Sequence, residues 1–434
     1  MGKKLLLKSF GLTMVLPPII AIVGLLHIFG NKGVINQLLV SFSLPTLKMA
    51  YNITGVLIIF TFFNIPFCCL GFIERLSHIP KSYWKSAQSL GFTYTQKVKY
   101  IELPLLKSSF MHMGAFVFLL CFTSFAPVLI MGGGKIETLT TALYHALKSL
   151  NIPMVVQISM VQFLWSFIAI AGLLFIRQKS SRLESGYIYL PPSLQKKSFI
   201  HYIIITILSF YILWPIISVI IKGLQSQFWL WLLKAEFFHA LFVSLYLSIF
   251  AALLAIFIGI GIATYRRFKL DILASYLPLM IPSFILIAGL FIALSPYVNL
   301  FRYRAVMIIA TSALMCLPLV MRMIAEPIHH IYQNQRHLAH SLNMSEASWY
   351  HLILWPQIKR PLSQSFAISM ALSFGDFGVI AFLGSENLKT LPLLLYEQMG
   401  RYRFNDADAL ACILLLVYIA IFIIFMKNTE VHNV

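Results

Sequence analysis

Residues 239–265 read HALFVSLYLSIFAALLAIFIGIGIATY, an apolar run without a single Asp, Glu, Lys or Arg. A helix of about 20 apolar residues is long enough to cross the hydrocarbon core of a bilayer. The whole chain has this character, since 59% of its 434 residues are hydrophobic and only 11% are charged. Soluble domains carry roughly 25% charged residues. The composition therefore excludes a soluble enzyme and predicts an all-α, polytopic membrane protein.

About ten segments are apolar and long enough to span a bilayer. Two of them, 108–131 and 363–383, are interrupted by Gly and small polar residues, which leaves their ends the hardest to place. No A-x-A-like cleavage site follows the first apolar run, so we do not interpret it as a signal peptide. The predicted spans are 9–30, 51–73, 108–131, 154–176, 199–221, 239–265, 273–294, 304–325, 363–383 and 407–426.

The connecting segments of these spans form two alternating sets that differ in charge. One set holds 22 of the 33 Lys and Arg residues, and the other 11 lie in the second set or at the end of a span beside it. Cytoplasmic loops are enriched in Lys and Arg, so we expect the first set and both termini in the cytoplasm. The net charge of +19 is then mainly an orientation signal, and we expect no nucleic-acid partner. The first set is 1–8, 74–107, 177–198, 266–272, 322–362 and 427–434.

The chain also contains an internal repeat. An ungapped alignment of 66–144 with 318–396, the repeat alignment, has 19 identities in 79 positions, a sign of duplicated architecture. Six predicted spans separate equivalent points, so the two copies have the same orientation. We predict two parallel repeats related by an axis along the membrane normal. The identical pairs include Glu74/Glu326, Ile79/Ile331, Ala87/Ala339, Leu90/Leu342, Ile101/Ile353, Pro104/Pro356, Phe125/Phe377 and Tyr144/Tyr396.

The two repeats differ in length. A second, shorter match at a slightly larger offset pairs the segment around Pro17 with the segment around Pro282. Two predicted spans precede Pro282 in the second copy, whereas Pro17 lies too close to the start of the chain for any span to precede it. We therefore expect a first repeat of four spans over 1–198 and a second of six spans over 199–434.

The best-matched polar segments are two predicted cytoplasmic loops, 74–107 (the first loop) and 326–361 (the second loop). In the first loop a short helical stretch ends at Gly91, a residue suited to a left-handed helix end. Thr93 then offers an N-cap for a second helix. In the second loop Asn343 and Ser345 take these two places, since Asn also tolerates the left-handed conformation.

The second loop carries apolar residues at helical spacing, at i, i+3, i+4 and i+7, which predicts a single apolar face. Such a helix can lie on the membrane surface or dock in a groove of another protein. The occurrence of two similar loops favours a paired contact with a two-fold partner. The residues of the predicted face are Trp349, Leu352, Ile353 and Pro356.

These loops resemble the EAA loops of ABC-transporter permeases. The pattern Ala87-x-x-Leu90-Gly91, followed after ten residues by Glu102-Leu103-Pro104, resembles the family motif, and a degenerate copy stands in the second loop. The resemblance implies a type I importer fold in which both loops dock on ATPase subunits. One departure is that Lys85 and His337 occupy the position of the family's glutamate. The implied ATPase-coupling residues are Ala87, Leu90, Gly91, Pro104, Ala339, Leu342, Asn343 and Pro356.

Two such loops in one chain resemble the fused binding-protein-dependent permeases for thiamine and ferric iron. The stretches 372–384 and 391–402 are most similar to the thiamine branch. The resemblance implies a bacterial inner-membrane subunit with a periplasmic solute-binding protein and two ATPase subunits as partners. ATP and Mg²⁺ would bind the ATPases, with no cofactor on this chain. Fused members carry two more N-terminal spans, so we expect this chain to be short by about two spans.

The sequence has no motif of an ATP-binding site or of hydrolytic catalysis. Gly132-Gly-Gly-Lys135 lacks the spacing and the hydroxyl of a phosphate-binding loop. Four histidines crowd the second loop, and we interpret them as solvated side chains rather than as a metal site. The five cysteines lie in apolar runs and predict buried thiols rather than disulfides. The histidines are His329, His330, His337 and His340.

Asp376 is the one acidic residue that we place well inside a span. An intramembrane carboxylate is costly unless it faces a partner, water or a cavity. It could cap backbone or pair with Arg401 or Arg403; alternatively it lines a path for a cationic solute. The path hypothesis comprises Ser124, Gly375, Asp376, Phe377 and Gly378.

Three alternatives remain open at the level of sequence. The first is a ferric-iron permease of the same class. The second is an ion-coupled secondary transporter, although such proteins usually place several paired charges in the membrane. The third is a non-functional truncated permease, suggested by the unequal repeats.

Overall fold

The computed structural model of the protein describes residues 16–77, 79–175, 199–264, 281–297 and 302–426, with residues 10, 11, 13, 278 and 299. In these residues the regular secondary structure is entirely helical. The expectations for 1–8, 177–198, 266–272 and 427–434 fall outside the described residues. The first helices are α1 Pro18–Phe29, α2 Val34–Ser41, α3 Ile53–Ser77, α4 Lys81–Ser89, α5 Tyr94–Lys97, α6 Leu103–Phe122, α7 Ala126–Met131, α8 Leu139–Lys148 and α9 Ile152–Phe175.

Every predicted span overlaps a helix, or a pair of helices separated by a short break. Among the described residues, seven helices are long and apolar enough to cross a bilayer, and one bent helix pair is an eighth candidate. The remaining helices are α10 Phe199–Gln225, α11 Phe228–Trp231, α12 Ala235–Thr264, α13 Ser283–Leu294, α14 Arg304–Ser341, α15 Glu346–Trp349, α16 Trp355–Phe374, α17 Gly378–Leu383, α18 Leu391–Gly400 and α19 Phe404–Met426.

The chain forms two compact units. The first contains residues 24–138 and 164–217 together with the chain start, and the second contains 17–23, 139–163 and 218–434. In the first unit α3 packs on α6 through stacked rings, with Phe67 and Phe116 centroids 5.3 Å apart and those of Phe72 and Phe110 6.3 Å apart. The boundary that the sequence predicts between repeats, at residue 198, stays a prediction.

The core of the second unit is built from α12, α14 and α16. One face of α12 carries small buried residues at spacings of three or four, which lets neighbouring helices approach closely. At Gly259 a Cβ atom would lie only 2.7 Å from Val320 Cγ1 on α14. Van der Waals contact between closely packed helices therefore stabilises this part of the second unit. The small residues are Ala240, Ser244, Ser248, Ala251, Ala252, Ala255, Gly259 and Ala263.

The repeat is visible in the helix boundaries. The helices α5 to α8 and their counterparts α15 to α18 begin and end at positions that share the offset of the repeat alignment. Left-handed residues also recur at this offset, at Leu150 (φ 56°) and Tyr402 (φ 59°). The offset that predicted a duplication therefore holds for backbone conformation as well as for side chains.

Two details of the predicted spans differ in the structure. The predicted span 304–325 continues without interruption to Ser341, so α14 also supplies the first helix of the second loop. In the first copy Pro80 stands at the N-cap of α4 with an extended ψ of 141°, where the second copy has Tyr332. Because the ring of proline clashes with the preceding turn of a helix, only the first copy is interrupted there.

Candidate functional site

The tip of each loop is a helix end closed by a left-handed residue. Gly91 has φ of 64° and Asn343 has φ of 52°, as the sequence predicted. In both loops the next amide donates back to an alanine carbonyl, with Phe92 N to Ala87 O at 2.9 Å and Met344 N to Ala339 O at 3.1 Å. This closure satisfies carbonyls that a helix end otherwise leaves unpaired.

The side chains at the two tips also correspond. Ala87 and Ala339 are buried, while the large side chains of Leu90 and Leu342 are 70% and 64% exposed. An exposed leucine next to a rigid turn is a suitable contact for an apolar pocket on another protein. The two tips therefore offer one leucine each at equivalent places.

Both loops restart with a capped helix. Thr93 Oγ1 accepts a hydrogen bond from Gln96 N at 3.4 Å, and Gln96 Oε1 accepts one from Thr93 N at 2.8 Å, completing a capping box. Ser345 Oγ accepts from Ser348 N at 3.2 Å. The predicted N-caps are thus confirmed in both copies.

A π-helical turn follows each short helix, over Val98–Glu102 and Tyr350–Leu354. The extra residue rotates the following side chains by about 100° relative to an α-helix. The predicted single apolar face of the second loop is therefore wrong, because Trp349 is 3% exposed whereas Leu352 is 69% exposed. Nothing in the residue types distinguishes this turn, and such turns are frequent at functional sites.

Apolar side chains of each loop are buried, in a separate cluster in the first loop and as part of a larger core in the second. In the first loop Ile79, Trp84, Ala87 and Ile101 are buried together, with Phe92 packed against them. The equivalent residues of the second loop belong to the core of the second unit, so the apolar side chains there also turn inward. Other large side chains stay exposed, among them Tyr100 in the first loop and Leu352 in the second. The equivalent residues are Ile331, Ala339, Met344 and Ile353.

The α6 and α16 helices continue from these π-helical turns. Pro104 and Pro356 each stand at the second residue of these helices, directly after the π-helical turn. The α16 helix then runs without a break to Phe374, whereas α6 bends by 46° between Lys107 and Ser109 before it ends at Phe122. A displacement of either loop is therefore carried by helix into the apolar part of the chain.

Four of the five residues of the path hypothesis lie at helix breaks, and the fifth, Gly378, is the first residue of α17. Asp376 stands between α16 and α17, where its Oδ1 atom accepts a hydrogen bond from Gly378 N at 2.8 Å. It thus caps α17, one of the local arrangements that the sequence left open. Gly375 packs on Pro17, since a Cβ at that position would lie 2.7 Å from Pro17 Cγ. Ser124 lies in the corresponding break between α6 and α7.

Aromatic rings surround the break at Asp376. The rings of Phe377 and Tyr396 lie 4.8 Å apart, and those of Tyr144 and Phe284 lie 5.9 Å apart. A Cβ at Gly378 would lie 3.5 Å from Phe284 Cε2, so the second ring pair is also close to the carboxylate segment. A carboxylate among aromatic rings is a combination that suits organic cations. The sequence drew attention to Asp376 but not to Tyr144 or Phe284.

A buried lysine that the sequence did not single out organises the segment before α18. Lys389 Nζ lies 3.1 Å from carboxylate oxygens of both Glu386 and Glu397, and 3.6 Å from one of Glu236. Burial disfavours the ammonium charge, but hydrogen bonds from it to Glu397 and Glu386 outweigh burial and raise the pKa of Lys389. The cluster joins α12 to the segment that precedes α18.

The chain matches a family described as "Binding-protein-dependent transport system inner membrane component" over residues 3–178 and again over 255–428. The two matched regions fall in the two predicted repeats. They include both loops and the helix breaks at Ser124 and Asp376.

Similar proteins are found among characterised permeases. The "Thiamine transport system permease protein" of Brucella suis biovar 1 is 32% identical over 440 residues, which cover 98% of this chain and 80% of that protein. The protein of the same description from Haemophilus influenzae is 32% identical, with 96% of this chain and 80% of that protein covered. The Escherichia coli K12 protein is 29% identical, with 98% and 82% covered.

Proposed function

This chain belongs to the family of binding-protein-dependent transport system inner membrane components, and from that premise we propose that it translocates thiamine or thiamine phosphates in an ATP-driven importer. The observation that supports thiamine is the 32% identity to thiamine permeases over 96–98% of the chain. In this proposal a periplasmic binding protein delivers the solute. Two ATP-binding cassette subunits bind ATP and Mg²⁺, and this chain binds neither.

Coupling to the ATPases is assigned to the two loops, with both chain termini on the same cytoplasmic side. Support comes from the repetition of a whole backbone construction, from the left-handed tip through the N-cap to the π-helical turn. Leu90 and Leu342 would enter pockets on the ATPase subunits. Since α6 and α16 are continuous with the loops, closure of the ATPases on ATP would move the membrane helices and alternate access to the path.

The solute path is assigned to the helix breaks, with Asp376 as its charged residue. A carboxylate in the membrane attracts a cation, and rings such as Phe377 and Tyr396 interact with a cationic aromatic solute through their faces. Gly375 leaves room for Pro17 beside the break, Gly378 donates its amide to Asp376, and Ser124 is the counterpart of Asp376 in the first repeat. Thiamine, which carries a permanent positive charge on an aromatic ring, has this chemistry.

Uptake into proteoliposomes tests the proposal. The chain is reconstituted with the ATPase and binding protein of its transport system, and labelled thiamine is supplied outside. We expect accumulation that requires ATP on the ATPase side and that unlabelled thiamine competes away. Accumulation driven by an ion gradient without ATP would support a secondary transporter instead. Uptake of ferric iron but not of thiamine would move the chain to the iron branch, and no uptake of either would contradict a transport role.

A further inference from the structure

The two loops share a backbone construction but differ in electrostatic charge. Residues 74–107 contain six Lys or Arg and two Glu, whereas the equivalent residues 326–359 contain two of each. Between 81 and 101 the first loop has four lysines and no acidic residue at all. The first loop is therefore strongly cationic, and the second is nearly neutral at neutral pH.

Part of the difference in charge lies at equivalent positions that are exposed in both loops. Lys85 and Lys99 are exposed in the first loop, and the second loop has exposed histidines, His337 and His351, at the same two places. Two exposed lysines in one loop thus correspond to two exposed histidines in the other.

The second loop has one arginine near its tip, and this arginine already has an acidic partner. Arg336 forms an ion pair with Glu346, and its guanidinium lies 4.6 Å from the ring centre of Trp349. In the first loop the positions equivalent to Arg336, Trp349 and Glu346 hold Trp84, Lys97 and Tyr94. Lys85 and Lys99 therefore have no acidic residue of the 81–101 segment beside them.

Membrane orientation does not account for this contrast. The two loops lie on the same predicted side, so a rule that places basic residues there would act on both. The first loop also exposes large side chains, including Leu90, Tyr94 and Tyr100, so apolar and cationic groups are available on the same loop. Exposed lysines and an exposed leucine tip on one loop can supply both the polar rim and the apolar centre of a protein contact.

We propose that the two loops dock on the ATPase subunits by different forces: the first through Lys85 and Lys99 on acidic side chains that rim the ATPase groove, the second mainly through apolar contact at Leu342. This inference rests on the proposed function and specifies the chemistry of the partner surface. If the two ATPase subunits are identical, the same acidic rim meets two lysines at one loop and two histidines at the other.

Unequal docking predicts how the affinity for the ATPase changes with salt concentration. Exposed ion pairs are screened as ionic strength rises, because the screening length falls to about 10 Å at 0.1 M. Two exposed pairs together strengthen binding by roughly three- to tenfold at low salt. This gain in affinity comes from the first loop and is lost at high salt, whereas the apolar contact at the second loop does not depend on salt in this way.

The test is a titration of the purified ATPase subunit onto the permease in phosphatidylcholine nanodiscs. The variants are Lys85→Gln with Lys99→Gln, the matched pair His337→Gln with His351→Gln, and the conservative pair Lys85→Arg with Lys99→Arg. Because all four positions are exposed, folding is checked simply by elution and thermal melting of each permease variant.

We expect the variant with both lysines replaced by glutamine to bind the ATPase about three- to tenfold more weakly at about 50 mM salt. Its affinity for the ATPase should also depend much less on the salt concentration than that of the unchanged protein. The arginine pair should match the unchanged protein, and the histidine pair should change affinity less than twofold. Equal effects of the lysine and histidine pairs, or no effect of either, would overturn the inference. If lysine variants bind the ATPase normally but lose affinity for anionic lipid vesicles, the lysines serve the membrane and the inference is also overturned. Failure of the unchanged protein to bind the ATPase at any salt contradicts the proposed function instead.

Discussion

Gly91 and Asn343, which occupy equivalent positions in the two loops, adopt the same left-handed backbone conformation, with φ of 64° and 52°. Each follows an exposed leucine and precedes a capped helix. The correspondence shows that the two loops keep one turn geometry although only a few of their residues are identical.

The first prediction concerns the cost of a side chain at this turn. At Gly91 a Cβ would meet no atom within 4 Å, so only the backbone angle opposes substitution. Gly91→Asn should be nearly neutral, since Asn343 already holds the turn in the second loop. Gly91→Val should destabilise the turn by roughly 1–2 kcal/mol, because a β-branched residue resists the left-handed region. Hydrogen exchange of the Phe92 amide measures the difference, and equal protection in both variants would contradict it.

The second prediction concerns the N-cap of the first loop. Thr93→Ala removes the oxygen that accepts from Gln96 N and should destabilise the short helix by about 1 kcal/mol. Exchange of the Gln96 and Lys97 amides should accelerate about fivefold. Ser86→Ala, an exposed change in the preceding helix, serves as the control and should leave these amides unaffected. Identical exchange in the two variants would show that the cap does not hold the helix.

The third prediction concerns the buried lysine. Lys389→Met removes the nearest cation of Glu397 and Glu236 and should destabilise the protein by about 2 kcal/mol. This is below the 3–5 kcal/mol of fully buried pairs because Glu386 is exposed and Arg401 still contacts Glu397. Arg401→Gln removes only a longer contact of 3.8 Å to Glu397 and is the matched control, with a change below about 0.5 kcal/mol. Thermal melting in detergent compares the two, and equal melting temperatures would contradict the prediction.

The same lysine gives a pH dependence with a definite sign. Its pKa is raised in the folded protein, so the stabilisation is complete below the unfolded value of about 10.4 and is lost as pH rises through the folded value. The difference in melting temperature between the unchanged protein and Lys389→Met should therefore be constant from about pH 6 to 9 and should shrink only above that range. A difference that shrinks already near neutral pH would refute this assignment.

The fourth prediction separates the two roles of Asp376. Asn can cap α17 as Asp does, so Asp376→Asn should keep the melting temperature within a few degrees. It removes the charge, however, and should lower ATP-dependent thiamine uptake by on the order of tenfold if the carboxylate meets the cation. Asp376→Ala loses the cap as well and should also destabilise the protein. Unchanged uptake by the Asn variant would leave Asp376 with a capping role alone.

Much of the loop construction was predictable from single residue types. Gly91 and Asn343 have the backbone freedom that a left-handed turn needs, and Thr93 and Ser345 carry the short hydroxyl that caps a helix. These are local properties, which a sequence displays directly. The internal repeat extended them to both copies.

Properties that depend on distant partners were not predictable. The π-helical turns at 98–102 and 350–354 have no residue signature, and they rotated Leu352 away from the apolar face on which it was expected. Lys389 was unremarkable in sequence because its partners Glu236 and Glu397 come from other helices. The uninterrupted course of α14 through Pro327 likewise depends on packing rather than on helix propensity.

The central claim is that both loops contact an ATPase on one side of the membrane. Cross-linking tests it most directly: Leu90→Cys and Leu342→Cys are introduced separately, with Tyr297→Cys, an exposed residue of a predicted extracytoplasmic segment, as the control. We predict that residues 90 and 342 each cross-link to the ATPase subunit and react with a thiol reagent only from the cytoplasmic side. Reaction of either from the opposite side, or cross-linking from residue 297 instead, would contradict the account.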